Sequence, residues 1–149
     1  MARNRLIKLP NSMHHTMVGG HLDLSNNSIA MLPAAFGEIA AHGTLDLSCN
    51  ELTTLPNSIG MLKIDGALLL GYNKIEVLPD SFGNMEVGCF MDLSNNQITR
   101  LPDSFNRIQV GGDVNLGFNK LSGLPEGIGN ARIGGSLELG GNNTQYNTA

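Results

Sequence analysis

The stretch HLDLSNNSI at residues 21–29 returns as TLDLSCNEL at 44–52, ALLLGYNKI at 67–75, FMDLSNNQI at 90–98, DVNLGFNKL at 113–121 and SLELGGNNT at 136–144. Each copy starts 23 residues after the one before, without insertion or deletion. A constant period of this size means stacked structural units rather than a conventional globular fold. Within the unit, L-x-L alternates with period two. Leu22 and Leu24 therefore point one way and Asp23 the other, as in a short strand with one buried face. Copies set side by side place these strands in a parallel sheet.

Working outward, the same Asn recurs at Asn27, Asn50, Asn73, Asn96, Asn119 and Asn142, and counting back one period lands on Asn4. An Asn at the bend after each strand can satisfy backbone groups that would otherwise be buried without partners, so these seven residues are expected to form a structural ladder. The second half of the unit is as regular. Leu-Pro recurs at 9–10, 32–33, 55–56, 78–79, 101–102 and 124–125. A large apolar residue follows each Pro by three (Met13, Phe36, Ile59, Phe82, Phe105, Ile128), and then comes Val18, Ala41, Ile64, Val87, Val110 or Ile133. Pro after Leu suits an extended or turn segment and forbids a long helix. The Phe and Ile residues are expected to fill the back of the core. The chain thus reads as one domain over 1–149: a partial repeat at 1–20, repeats starting at 21, 44, 67, 90, 113 and 136, and a polar tail at 144–149.

The pattern resembles the leucine-rich-repeat family, whose consensus is L-x-x-L-x-L-x-x-N-x-L, from about Asn4 to Asn143. It is most similar to the 23-residue LPxx(F/I)G type of bacterial, bacteriophage and eukaryotic proteins. The resemblance implies an α/β solenoid with a parallel sheet on the concave face, a mostly irregular or 3-10 convex side and little regular helix. It also implies protein partners and no enzyme activity. One departure is systematic. The first consensus Leu is replaced by Gly19, His42, Asp65, Gly88, Gly111 and Gly134, and the Val, Ile or Ala one residue earlier takes over its core role. Some bacterial members are secreted effectors whose repeats select a host target for a ligase domain. This chain has no room for that domain, so such a role would make it a fragment acting in the host cytoplasm.

Composition narrows the function classes. A formal net charge of −4 and scattered Lys and Arg provide no basic field for nucleic acid or an anionic membrane. No run approaches the ~18 apolar residues of a membrane span, and the start MARNRLIKLP lacks the apolar core of a signal peptide. A cytoplasmic location is expected. Cys49 and Cys89 lie two repeats apart, roughly 10 Å in stacking distance, too far for a disulfide. His14, His15, His21 and His42 lack a metal-ligand spacing, with His14 and His15 expected on the convex side, away from His21. No phosphate loop, nucleophile elbow or zinc-protease motif occurs, so neither cofactor nor metal nor catalytic residues are expected.

Binding candidates come from the out-facing strand positions. The central column reads Asp23, Asp46, Leu69, Asp92, Asn115 and Glu138. Strands ~4.8 Å apart bring carboxylates close enough to repel, which would raise their pKa. The column reads either as an acidic strip for a basic partner or as a solvated consensus feature. It is interrupted by Leu69, beside Phe90, with Tyr72 and Phe118 on neighbouring out-facing positions. Exposed apolar residues on a rigid sheet mark a protein-binding patch. The alternative is that an aromatic ring folds over a thinly packed edge. The terminal strands leave three further readings open: a piece of a longer array, homo-oligomers formed through open strand edges, or a tail folded back as a cap.

Overall fold

The alternation and the period become two stacked parallel sheets. The computed structural model describes residues 4–143. Twelve two-residue strands run in chain order: β1 Met17–Val18, β2 Leu22–Asp23, β3 Ala40–Ala41, β4 Leu45–Asp46, β5 Lys63–Ile64, β6 Leu68–Leu69, β7 Glu86–Val87, β8 Met91–Asp92, β9 Gln109–Val110, β10 Val114–Asn115, β11 Arg132–Ile133 and β12 Leu137–Glu138. The even-numbered strands form one six-stranded sheet, here sheet I, and the odd-numbered strands form a second, sheet II. Every pairing is parallel and joins residues one period apart, such as Leu45 with Leu68 and Val87 with Val110.

The backs of the repeats are 3-10 turns at Asn11–His15, Phe36–Glu38, Asn57–Met61, Phe82–Asn84, Asp103–Arg107 and Ile128–Asn130. At each, the Pro carbonyl accepts the N–H three residues on, as from Met13 to Pro10, Ile59 to Pro56 and Phe105 to Pro102. The solenoid fold expected from the repeat is therefore the observed one. Sheet II is an addition that the irregular convex side had concealed.

The core lies between sheets I and II and the turns. Leu45, Leu68, Met91 and Val114 from sheet I are fully buried, as are Leu47, Leu70, Leu93 and Leu116. Phe36, Ile59, Phe82 and Phe105 form the back of the core, with Phe82 and Phe105 stacked at 6.2 Å between ring centroids. Ala41, Ile64, Val87 and Val110 bury the inner face of sheet II and take the core position left by the missing consensus Leu. Burial weakens in the last repeat, where Ile128, Ile133, Leu137 and Leu139 are only partly covered.

The Asn column ties consecutive layers together. Asn50 Oδ1 accepts the Ile29 N–H at 3.0 Å, while its Nδ2 donates to the carbonyls of Leu24 and Leu47 at 3.0 and 3.1 Å. Asn73, Asn96 and Asn119 repeat this set one period on each time. Asn142 does so from a half-buried position, and Asn27 accepts from the Leu6 N–H. Asn4, at the start of the described residues, is exposed. A buried amide that satisfies backbone groups in two repeats at once removes a desolvation penalty of about 1–3 kcal/mol per group.

Candidate functional site

Three recurring positions line the outer side of sheet I, two of them holding the backbone with a side chain, and the candidate residues are large apolar side chains that depart from the polar residues used elsewhere. The first is the middle of the strand. Asp23, Asp46 and Asp92 each turn one carboxylate oxygen onto the N–H two residues on, at Ser25, Ser48 and Ser94, and Asn115 does the same to Gly117. For Asp23 and Asp46 the Ser hydroxyl adds a second bond at 2.7 and 2.6 Å. These side chains hold the strand end in an Asx-type turn. Leu69 occupies the same place and makes no such bond. Register sets it between Asp46 and Asp92, with Phe90 on the diagonal.

The expected rise in carboxylate pKa does not hold at Asp23. There the Ser25 hydroxyl, and then the Ser25 N–H, stabilise the ionised form and hold the carboxyl below its ordinary value. The local hydrogen bonds outweigh the desolvation that opposes them.

The second position opens the strand. His21 Nδ1 accepts the Thr44 N–H at 2.9 Å, Thr44 Oγ1 accepts the Ala67 N–H at 3.2 Å, and Asp113 Oδ1 accepts the Ser136 N–H at 2.7 Å. Phe90 stands there with no group able to do this, and it is 47% exposed. A shallow depression of about 190 Å³ opens beside it, lined by Asp92, Asp113, Asn115 and Glu138 as well as the ring.

The third position follows the strand and has a left-handed backbone in every full repeat. It is taken by Asn26, Cys49, Tyr72, Asn95 and Phe118, with φ of 54–55°, and by Gly141 at 73°. Asn tolerates this region because its short amide bonds locally, and Asn26 and Asn95 do so to the neighbouring Ser hydroxyls at 3.2 Å. Bulky residues there carry a cost of about 1–3 kcal/mol. Tyr72 and Phe118 nevertheless hold the same angle and leave their rings 61% and 66% exposed. Phe118 lies against Gly141, where an added Cβ would come within 2.6 Å of the ring. Tyr72 and Phe118 thus sit on the turn just beyond the strands rather than on the sheet itself.

Glu138 is exposed at the end of the central column. Cys49 and Cys89 are free and exposed, and the Cys89 thiol points to the Asp65 carbonyl at 3.6 Å. His14 stacks on His15 in the first 3-10 turn, and His42 faces Asp65 at 3.4 Å. Among the described residues no group of three His, Cys, Asp or Glu is placed to hold a metal ion, and no helix is long and apolar enough to cross a membrane.

Sequence reasoning missed the outer face of sheet II. Lys63, Glu86, Gln109 and Arg132 stand in one row there, with Lys63 and Glu86 paired at 3.0 Å, beside a depression of about 380 Å³. A second depression of about 480 Å³ runs from Glu38 to Lys63. The recurring Val-Gly-Gly corner was the available signal, because a glycine-rich bend between two inward apolar residues implies a strand on each side of it.

The family described as Leucine Rich Repeat matches residues 44–62 and 89–108. Comparison with curated protein sequences gives no match. Among solved structures, the chain is similar to a leucine-rich-repeat protein of Leptospira interrogans. Identity is 21% and the TM-score 0.37, over 93% of this chain and 53% of that one. The chain therefore spans about half the length of that protein.

Proposed function

We propose that this leucine-rich-repeat chain is a non-enzymatic recognition module that binds a protein across the outer, concave side of sheet I. Leu69, Tyr72, Phe90 and Phe118 are its apolar contacts, and Asp23, Asp46, Asp92 and Glu138 are polar ones. One observation carries this reading: Leu69 and Phe90 stand where other repeats use a side chain to support the backbone, and Tyr72 and Phe118 stand where other repeats place a small polar residue, Cys or Gly. Tyr72 and Phe118 stand there in a strained conformation while staying exposed. Strain kept without burial fits an external role. Rigid aromatic side chains on a preorganised sheet also lose little freedom on binding.

Size sets the strength. Six strands ~4.8 Å apart give a face roughly 29 Å long, and four exposed residues across it give an area of about 400 Å². That is half the ~800 Å² per partner of a standard interface. Binding through sheet I alone is therefore weak, and its partner is an extended segment rather than a broad surface.

The test is selection of random displayed peptides on the immobilised protein. Selected peptides should lose at least about tenfold in affinity for the Phe90→Ala, Phe118→Ala double variant. They should be unaffected by Met31→Ala, which removes an exposed apolar group that lies with Leu32, Thr54 and Pro56 and outside the sheet I strands. Peptides indifferent to the double variant, with its fold verified by circular dichroism, would overturn the reading.

A second reading, assembly through strand edges, is favoured by the partial exposure of Leu137 and Leu139 in and beside β12. A mass that rises with concentration in light scattering, and falls back with Leu137→Lys, would support it. A constant mass near 15.8 kDa would count against it.

A further inference from the structure

The charges of this chain are not spread evenly over its faces. The outward positions of sheet I and its flanking turn comprise the columns that begin at His21, Asp23, Ser25 and Asn26 and repeat every 23 residues. Five of the thirteen acidic residues fall in them: Asp23, Asp46, Asp92, Asp113 and Glu138. None of the nine Lys and Arg does from residue 21 onward; Arg3, one period before Asn26, lies outside the described residues. Among the described residues the remaining surface holds the other eight acids and eight cations and so balances, and the net negative charge belongs to sheet I. Sheet II, built on the same period, pairs its charges instead, as between Lys63 and Glu86. The cations next along from the sheet I turn, Lys74 and Lys120, are engaged with Glu51 and Gln97 at 2.7 and 3.0 Å.

Within sheet I the carboxylates are not equivalent. Asp23 and Asp46 accept bonds from both the N–H and the hydroxyl of a following Ser. Toward the other end, Asp92, Asp113 and Glu138 surround the depression whose wall is the Phe90 ring. Here the acid column and the aromatic interruption coincide. A guanidinium or ammonium group entering this depression would meet a ring able to make a cation–π contact and carboxylates with oxygens left for charge-assisted bonds. An anionic segment would meet five like charges.

We infer that the partner segment is cationic: a polypeptide that seats an Arg or Lys side chain against Phe90 among Asp92, Asp113 and Glu138, with Tyr72 and Phe118 contacting its flanking residues. This rests on the proposed recognition function and names the chemistry of its ligand. Attraction by one face of uniform sign also orients the encounter and makes it sensitive to salt.

The experiment uses fluorescein-labelled octapeptides of alternating Arg-Gly, Ser-Gly and Glu-Gly, read by anisotropy on the whole chain. The Arg-Gly peptide should bind at least about tenfold more tightly than the Ser-Gly peptide at low salt, and the advantage should shrink as screening rises. Phe90→Ala should weaken it about fivefold, and Asp113→Asn with Glu138→Gln about tenfold. A charge-matched control, Glu76→Gln with Glu126→Gln, removes two exposed carboxylates elsewhere and should change it less than about twofold. If the control loses as much as the sheet I pair, the attraction is to overall charge and the site falls. Equal binding of the Arg-Gly and Ser-Gly peptides also overturns it. If displayed peptides map to sheet I but carry no excess of Arg or Lys, this inference fails while the recognition function stands.

Discussion

The back of each repeat and its front obey different rules. At the back, adjacent 3-10 turns meet through glycine. A Cβ on Gly83 would lie 1.8 Å from the Ser104 carbonyl oxygen, and one on Gly37 would lie 1.6 Å from that of Ser58. Behind them the Phe82 and Phe105 rings stack with an interplanar angle of 5°. At the front, the strand positions differ from repeat to repeat while the backbone does not: φ after the strand stays at 54–55° whether the residue is Asn, Cys, Tyr or Phe. Stacking is therefore secured from behind and by the Asn column. The front is free to carry residues that stacking does not require, and repeat architectures write recognition onto such a surface.

The contrast is tested most sharply with glycine. Gly83→Ala forces a side chain onto a backbone oxygen in a buried position and should cost about 3 kcal/mol. At the front, a Cβ on Gly71 meets only the Asp92 carboxylate, at 2.8 Å. Ser occupies the equivalent place at Ser25, Ser48 and Ser94, so Gly71→Ser should cost less than about 1 kcal/mol. Urea unfolding measures both, and equal costs would mean that the two sides are equally constrained. Tyr72→Asn is a smaller effect of opposite sign. Replacing a strained aromatic residue with the one used at Asn26 and Asn95 should stabilise the fold by about 0.5–1 kcal/mol while weakening peptide binding. A loss of stability would mean that the ring packs for the fold rather than for a partner.

The smallest expected effect is in acid. Asp23 is held below its ordinary pKa when folded, so its contribution is present above the unfolded value and is lost as pH falls through the folded one. Ser25→Ala removes the hydroxyl that is the main cause, and so should flatten the loss of stability on acidification below the ordinary aspartate range. Denaturant titrations at a series of acid pH values would detect it. An unchanged slope would assign the acid sensitivity to other groups.

The period made sheet I, the buried L-x-L pairs and the aromatic back of the core legible, because each sends the same residue type to one place six times. Sheet II was not legible. Its strands are two residues long with a single inward residue, and Val18 or Val87 beside a glycine, or Ala41 or Ile64 two residues before one, gives no alternation to detect. The left-handed turn was hidden for a different reason. Asn26, Asn95 and Gly141 are residues that favour it, but Tyr72 and Phe118 disguise it as two more out-facing aromatics. The Asx turns were within reach. Asp23 with Ser25, Asp46 with Ser48 and Asp92 with Ser94 stand two apart, the spacing at which a side chain bonds its own backbone.

The Asn column has a mechanical consequence. Each buried Asn belongs to one layer but closes backbone bonds in the layer before it, as Asn96 does for Ile75 and Leu70. Pulled by its two ends, the chain should therefore yield one layer at a time, since detaching a layer strips bonds only from its neighbour. Each layer stores 23 residues, about 80 Å of extended chain, in ~4.8 Å of stack. Under tension the molecule is a ratcheted spring in which each released layer lengthens roughly sixteenfold.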